Sequence, residues 1–233
     1  MVAYRPPPVN RQRTGLSLKI YAVADIHARR QRLDHIVANV KRLTPDLVVV
    51  AGDLTSYRSS SFVVRHLAEL AVPVFAILGN TDRKMVGGQI SRNTGISSGY
   101  LPPTVHRPLA LVGLNGTLPI PFRSRIALKE NRILKDIAPL VNRKTILVVH
   151  TPPWGTLDEV MGKFHAGSKN LLAFIRCNEP LMLLCGHIHE RPGVKQVGKT
   201  WVVNCTMGHG SQGALIHCRG SASNRPEVQM LTS

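Results

Sequence analysis

The stretch Lys19–His27, with the sequence KIYAVADIH, decides the fold. In it an apolar run ends abruptly in Asp25, and an imidazole, His27, follows two residues later. Alternate residues of an extended chain point to the same side, so this spacing predicts that both side chains leave one face where a strand gives way to a loop. A single Asp-x-His sequence occurs in many proteins by chance and indicates little by itself.

Four later apolar runs end in the same kind of residue. They are Leu47–Ala51 before Gly52-Asp53, Val74–Leu78 before Gly79-Asn80, Ile146–Val149 before His150, and Leu181–Cys185 before Gly186-His187-Ile188-His189. Apolar residues at helical spacing separate the first three runs, which predicts a right-handed βαβαβ unit in an α/β protein. Ligands of such sheets collect beyond the carboxyl ends of the strands, so we expect these residues to meet there.

The strand ends supply a set of oxygen and imidazole donors: Asp25, His27, Asp53, Asn80, His150, His187 and His189. A set of this size is too large for one metal ion and suits two divalent ions. Mixed nitrogen and oxygen ligation favours manganese, with iron, nickel, cobalt or zinc as alternatives, over calcium or copper(I). Two ions about 3.5–4 Å apart would hold a bridging hydroxide and neutralise a phosphoryl group. One such His alone would more simply be a core or surface residue.

Composition predicts one domain, over residues 16–218, between a loose N-terminal arm (residues 1–15) and a patternless C-terminal tail (residues 219–233). The chain has 30 basic and 13 acidic residues and a formal net charge of +17. This excess favours phosphorylated ligands or nucleic acid, although a basic proteome or charge-driven solubility explains it equally well. Scattered cysteines and the lack of a long apolar run predict a cytoplasmic protein that does not contact the membrane. The oligomeric state stays open.

Taken in order, these strand-end motifs resemble the calcineurin-like metallophosphoesterase superfamily. The stretch His165–Ser168 ahead of a helix, with Glu190, is similar to its branch of small intracellular phosphodiesterases. The resemblance implies a four-layer α-β-β-α sandwich with two mixed β-sheets. It also implies the ligand sets: Asp25, His27 and His189 for one metal, Asn80, His150 and His187 for the other, and Asp53 as the bridge.

The stretch after the third strand departs from the family pattern. Many members carry Gly-Asn-His-Asp or Gly-Asn-His-Glu, whose His helps to protonate the leaving group, whereas this chain has Thr81 between Asn80 and Asp82. Threonine is not a proton donor near neutral pH, and such help is typically worth ~10²–10⁴ in rate. We therefore expect slow turnover of esters with poor leaving groups. Asp82 either supports the ligands from behind or is a turn residue.

Three further residues are candidate substrate contacts. Asn80 is one of them, in addition to its predicted role as a metal ligand. Arg83 on the same loop and His165 are the others, although a solvated loop residue is the alternative for both. His209, between two glycines, is more simply a loop residue, and Trp154 a packing residue.

The function predicted first is a dinuclear metal-dependent phosphoesterase that favours phosphodiesters, with a metal-bridging hydroxide as nucleophile. A nuclease acting on DNA or RNA with the same core is the second hypothesis, motivated by the positive charge. A protein-interaction scaffold with a weak active site is the third, because Thr81 replaces the proton donor. The physiological substrate is not determined by the sequence.

Overall fold

The computed structural model describes residues 17–56, 61–82, 84–92, 95–104, 109–116, 124–219 and 225–232. The predicted N-terminal arm and Arg83 lie outside these ranges. The described strands are β1 (Ser17–Val23), β2 (Leu47–Ala51), β3 (Val74–Ile77), β4 (Ile96–Ser97), β5 (Tyr100–Leu101), β6 (Ala110–Gly113), β7 (Thr145–Val148), β8 (Glu159–Val160), β9 (Phe164–His165), β10 (Met182–Cys185), β11 (Gly193–Val197), β12 (Thr200–Asn204), β13 (Met207–Gly208), β14 (Ser211–Arg219) and β15 (Glu227–Thr232). The described α-helices are α1 (Arg30–Leu43), α2 (Ser61–Ala68), α3 (Lys84–Arg92), α4 (Ser124–Ile137) and α5 (Lys169–Asn178), and a 3₁₀ turn covers Ala138–Leu140.

Two mixed sheets carry the predicted strand ends. The first has the order β13-β14-β1-β2-β3-β4, with β15 paired to β14, and the second has the order β11-β12-β10-β7-β6-β5. Strands β1, β2 and β3 are parallel neighbours, which confirms the predicted βαβαβ unit. In the second sheet β7, β10 and β12 are parallel. Their carboxyl ends therefore point to one edge in each sheet.

Alternation within each strand divides the molecule into four layers. In β1, Ile20 and Ala22 pack into the core between the two sheets, whereas Tyr21 and Val23 pack under α1, α2 and α3. A third cluster lies between the second sheet and helices α4 and α5. A strand that is covered on both faces is apolar throughout, which explains the continuous runs seen in the sequence. The predicted four-layer α-β-β-α sandwich is confirmed.

The prediction of a patternless tail from residue 219 is wrong over Glu227–Thr232, because this segment pairs with β14 as β15. Val228 and Met230 pack against the core between the sheets, and Leu231 packs on the opposite side. Because this segment is short and contains few apolar residues, the sequence did not indicate a strand there. Between β3 and β6 the described residues also form α3, β4 and β5. None of the described helices is both long enough and apolar enough to cross a membrane.

Candidate metal centre

The loops that follow the strands are joined by backbone hydrogen bonds. The amide of Asp25 donates to the carbonyl of Gly52 at 3.0 Å, and that of His27 donates to the carbonyl of Asp53 at 2.9 Å. The amide of Gly186 donates to the carbonyl of His150 at 3.0 Å. The first two bonds connect β1 to β2, and the third connects β7 to β10. Backbone pairing thus continues past the strands and fixes the spacing of the predicted donors.

Several of these residues have a left-handed backbone. The φ angles are 59° at Asp25, 51° at His27, 52° at Asp53 and 70° at His187. The expectation that Asp25 and His27 share a face through extended alternation is therefore wrong, because β1 ends at Val23 and both residues lie in a turned loop. Such a conformation costs of order 1–3 kcal/mol per residue and clusters at functional sites, where the surrounding structure enforces it.

Glycines precede the ligands where two loops approach closely. A Cβ added to Gly79 would lie 2.1 Å from Oδ1 of Asp53. A Cβ added to Gly186 would lie 2.6 Å from Oδ2 of Asp25. No side chain fits at these distances, so the Gly-Asn and Gly-His sequences are needed for the neighbouring carboxylates to keep their places.

One half of the centre contains Asp25, His27 and His189. Oδ1 of Asp25 lies 3.3 Å from Nε2 of His189 and 3.8 Å from Nε2 of His27. The two imidazole Nε2 atoms are 3.3 Å apart. These atoms all lie within 4.8 Å of one another, which is a spacing that one cation can bridge.

The other half contains Asn80, His150 and His187, with Asp53 between the halves. Oδ1 of Asn80 lies 3.0 Å from Nε2 of His150 and 3.0 Å from Nδ1 of His187. Oδ2 of Asp53 lies 3.4 Å from Nε2 of His150 and 3.7 Å from Nε2 of His27. The structure therefore brings all of the predicted donors together and places Asp53 where a bridging ligand belongs. Their assignment as ligands stays a prediction.

Backbone groups around the centre form hydrogen bonds with His150, Asp53 and Asp25. These bonds leave the other ring nitrogen or carboxylate oxygen of each residue for the centre. Nδ1 of His150 lies 2.8 Å from the carbonyl of Ala51, which can only accept, so Nδ1 carries the proton and Nε2 is left as an acceptor. Oδ1 of Asp53 accepts from the amide of Thr81 at 2.9 Å, which leaves Oδ2 for the centre. Oδ2 of Asp25 accepts from the amide of His187 at 3.0 Å.

The donor set fits divalent cations. Oδ1 of Asp25 is buried and has no hydrogen-bond partner within the described residues. Nε2 of His150 and Oδ1 of Asn80 are two acceptors that face each other at 3.0 Å. Acceptors converge in this way where a cation lies among them, because a buried polar atom without a partner is otherwise costly. Carboxylate, amide and imidazole donors suit the mid-series divalent metals.

Electrostatics favour charged acids and a neutral ring at His187. Burial raises the pKa of Asp25, but the nearby imidazoles of His189 and His150 outweigh it and lower the pKa to about 2. Burial also raises the pKa of Asp53, and His150 and the Thr81 amide reverse this to a net lowering. Burial and the neighbouring His150 lower the pKa of His187 to about 4, so its ring is neutral at neutral pH. The centre thus holds two carboxylates and a ring in its ligating form.

Asp82 uses both carboxylate oxygens on the protein itself. Oδ1 accepts from the amide and hydroxyl of Thr55 at 2.7 and 2.8 Å, and Oδ2 accepts from the amides of Gly79 and Leu54 at 2.9 and 3.1 Å. This carboxylate joins the loop after β2 to the loop after β3. Of the two interpretations open from the sequence, the contacts favour support of the ligand loops, and they turn Asp82 away from the centre.

The hydroxyl of Thr81 is directed away from the centre as well. Thr81 is buried, and its hydroxyl donates to the carbonyl of Thr55 at 2.6 Å. The side chain therefore strengthens the link between the two loops, and a larger ring at this position would have to displace that contact.

His165 lies on the hairpin β8–β9 and is held by an acid that the sequence did not single out. Its Nδ1 is 2.8 Å from Oδ1 of the buried Asp158, whose other oxygen accepts from two glycine amides. The ring packs against Trp154 with centroids 5.2 Å apart. Trp154 follows His150 by four residues, and an ion pair joins Glu159 of the hairpin to the segment after His189. The sequence signal for Asp158 was only that of an acidic residue seven positions before His165.

The cysteines are not part of the centre. Burial raises the pKa of the Cys185 and Cys205 thiols far above the usual range, and it raises the pKa of Cys218 to about 12. Thiols in this state are poor metal ligands, because a ligating cysteine is deprotonated.

Comparison with known proteins gives one family and one fold. A family model described as the calcineurin-like phosphoesterase superfamily domain matches residues 18–214. An uncharacterized protein of Methanocaldococcus jannaschii is 30% identical over 196 residues, which cover 80% of this chain and 87% of that protein. A Thermus thermophilus protein superimposes with a TM-score of 0.65 at 17% identity, over 91% of this chain and 98% of the other. A dimetal phosphatase from Danio rerio superimposes with a TM-score of 0.61 at 13% identity, over 92% and 98%.

Proposed function

This chain belongs to the calcineurin-like phosphoesterase superfamily, and from that premise we propose that it is a two-metal phosphodiesterase. One observation carries the proposal. Oδ2 of Asp53 lies between an imidazole of each half of the centre, 3.7 Å from His27 and 3.4 Å from His150. A carboxylate oxygen placed between two donor groups suits a ligand that bridges a pair of ions. The dimetal phosphatase from Danio rerio, which has the same fold, supports this interpretation.

Two bound ions would supply the positive charge that neutralises a phosphoryl group and lowers the pKa of an attacking water. Manganese is the metal that we propose, with iron, nickel, cobalt and zinc as alternatives for the same donors. Asp25, His27 and His189 would hold one ion, and Asn80, His150 and His187 the other.

The protein's own groups orient the centre and the substrate. The carbonyl of Ala51 fixes the tautomer of His150, and the Thr81 amide fixes one oxygen of Asp53, so neither ligand has to reorganise during the reaction. Asn80 is exposed and turns its amide oxygen toward two imidazoles. Its amide nitrogen is then free to donate to a phosphoryl oxygen of the substrate.

Esters with good leaving groups are favoured over esters with poor ones. Position 81 bears a buried hydroxyl that is bonded to a backbone carbonyl, so it cannot protonate a leaving group. The Asp158–His165 pair is an oriented imidazole outside the ligand set, and we propose that its ring faces the substrate.

Hydrolysis of bis-p-nitrophenyl phosphate with added Mn²⁺ tests the proposal. We expect the wild type to release p-nitrophenol, Asp53→Ala to be inactive, and Asp136→Asn, which changes an exposed carboxylate on α4, to match the wild type. Equal rates for the wild type and Asp53→Ala would contradict the proposal. A protein that binds no metal and hydrolyses no ester with any supplied metal would instead favour the interaction scaffold.

A further inference from the structure

A pocket of about 230 Å³ lies beside the centre and plays no part in the ligand set. Its walls include Arg29, Arg32 and His35 on one side and His209, Ser211 and Gln212 on the other. Ordinary ligand pockets have volumes of ≈ 300–1,000 Å³, so this one is the size for a substituent rather than for a whole cofactor.

The first wall is a face of the chain at the start of α1. Arg32 and His35 are three residues apart in α1, so their side chains project to the same side, and Arg29 directly precedes the helix. The guanidinium of Arg32 donates one hydrogen bond to the carbonyl of Asp25. A guanidinium has five donors, so most of them remain for a ligand.

The second wall is the turn of the hairpin β13–β14. Gly208 pairs with Ser211, which places His209 and Gly210 at the tip. The φ of His209 is 47°, a left-handed conformation at the tip of the turn, and its side chain lines the pocket. A Cβ added to Gly208 would lie 3.3 Å from Nη2 of Arg32, so this glycine leaves the guanidinium accessible along the wall.

Both walls are attached to the residues around Asp25. The Arg32 guanidinium binds the carbonyl of Asp25, and the amide of Met207 donates to the carbonyl of Ala24 at 2.9 Å. Arg29 follows the predicted ligand His27 by two residues. The pocket therefore adjoins the half of the centre that contains His27 and His189.

We propose that this pocket binds a second phosphate of the substrate while the scissile phosphate lies on the metal centre. Two guanidinium groups line it, no Asp or Glu of the described residues does, and its remaining polar groups include two imidazoles and a hydroxyl. Planar guanidinium groups match phosphate oxygens, and charge-assisted bonds of this kind are the strong ones. The inference rests on the proposed phosphodiesterase function and adds the substrate class: a phosphodiester or phosphoanhydride that carries another phosphate nearby.

Three p-nitrophenyl esters test the inference with the metal-loaded full chain. The first is the p-nitrophenyl phosphodiester of thymidine. The second has an added phosphate on the free sugar hydroxyl, as in an oligonucleotide end, and the third has one added anhydride phosphate, as in a nucleoside diphosphate. Cleavage of the p-nitrophenyl ester bond releases the same good leaving group from all three, so differences in kcat/KM for p-nitrophenol release report binding of the second phosphate.

We expect the wild type to prefer one of the two phosphorylated esters over the plain one by about tenfold in kcat/KM, mainly through KM. The double variant Arg29→Ala with His209→Ala should lose that preference. Arg30→Ala is the matched control, because Arg30 is an exposed neighbour that does not line the pocket, and it should keep the preference. Whichever ester is preferred shows which of the two sources supplies the phosphate.

Equal kcat/KM values for all three esters in the wild type would overturn the inference and leave the phosphodiesterase function standing. Survival of the preference in the double variant would overturn it as well. Failure of the wild type to hydrolyse any of the esters would overturn the proposed function and the phosphate pocket together. Arg29 and His209 are exposed, so the double variant removes no core packing, and its melting temperature checks that it is folded.

Discussion

The amino ends of three strands in the second sheet and the carboxyl ends of β1 and β2 in the first sheet gather charge in opposite ways. At the amino ends of β7, β10 and β12, Glu179 lies between Arg143 and Lys199, 2.7 and 3.2 Å from their nitrogens. At the carboxyl ends, Asp25 and Asp53 are buried and face imidazoles. The first end is a network of exposed ion pairs, and the second is a buried set of donors.

This difference shows which acids need a further partner. The hydrogen bonds from Arg143 and Lys199 lower the pKa of Glu179, and its charge is balanced by these side chains in solvent. The buried acids have neighbours that are neutral when they ligate, and one oxygen of Asp25 has no hydrogen bond within the described residues. Burial makes that arrangement costly in free energy unless cations complete it. Exposed ion pairs, in contrast, contribute little to the free energy of unfolding.

Asp25→Asn should have the largest effect, because it replaces the unpartnered oxygen and one negative charge. We expect activity to fall to the uncatalysed rate. Addition of Mn²⁺ should raise the melting temperature of the wild type, by mass action, and leave that of the variant unchanged. Differential scanning fluorimetry across a Mn²⁺ series measures this, and an equal rise in both proteins would contradict the comparison.

Gly79→Ala should be next, because its Cβ would lie 2.1 Å from Oδ1 of Asp53. A change in the residues that hold a metal ligand in place typically costs 10–100-fold in metal affinity or activity. We expect a loss of about that size. Gly88→Ala is the matched control, since a Cβ there meets nothing within 4 Å. It lies in α3, where alanine is favoured by up to about 1 kcal/mol over glycine. A metal titration with both variants would contradict the prediction if their affinities were equal.

Asp82→Asn should weaken the junction of the two ligand loops without touching a metal. Three backbone amides and a hydroxyl lose a charged acceptor, and the amide nitrogen that replaces one oxygen is itself a donor. We expect the free energy of unfolding to fall by about 2 kcal/mol and activity by about tenfold. Urea unfolding and the diester assay measure the two effects. An unchanged stability would show that Asp82 is only a turn residue.

Glu179→Gln should have the smallest effect, with activity unchanged and stability at pH 7 nearly so. The pKa of Glu179 is lowered in the folded state, so its contribution is present above the unfolded pKa and is lost as the pH falls through the folded one. The wild type should therefore lose its small advantage over the variant in acid. Thermal unfolding between neutral and acidic pH measures this, and a variant as inactive as Asp25→Asn would contradict the contrast between the two ends.

The sequence by itself determined the βαβαβ unit and the inventory of donors, and its resemblance to a family implied the layers. Strand and helix periodicities are local, so the runs that end in Asp25, Asp53 and His150 could be located without knowledge of their neighbours. The parallel order of β1, β2 and β3 follows from handedness rules that every such chain obeys. These features depend on spacing over a few residues.

Only the tertiary structure decided how the donors are held. The left-handed backbone at Asp25 and His27, the hydrogen bonds of Asp82 and the support of His165 by Asp158 depend on neighbouring loops, which a linear pattern does not contain. The phosphate pocket is the clearest case, because α1 and the turn at His209 lie far apart in the chain. Long-range packing brings such segments together. Its energy comes from contacts throughout both sheets and not from the residues at either position alone.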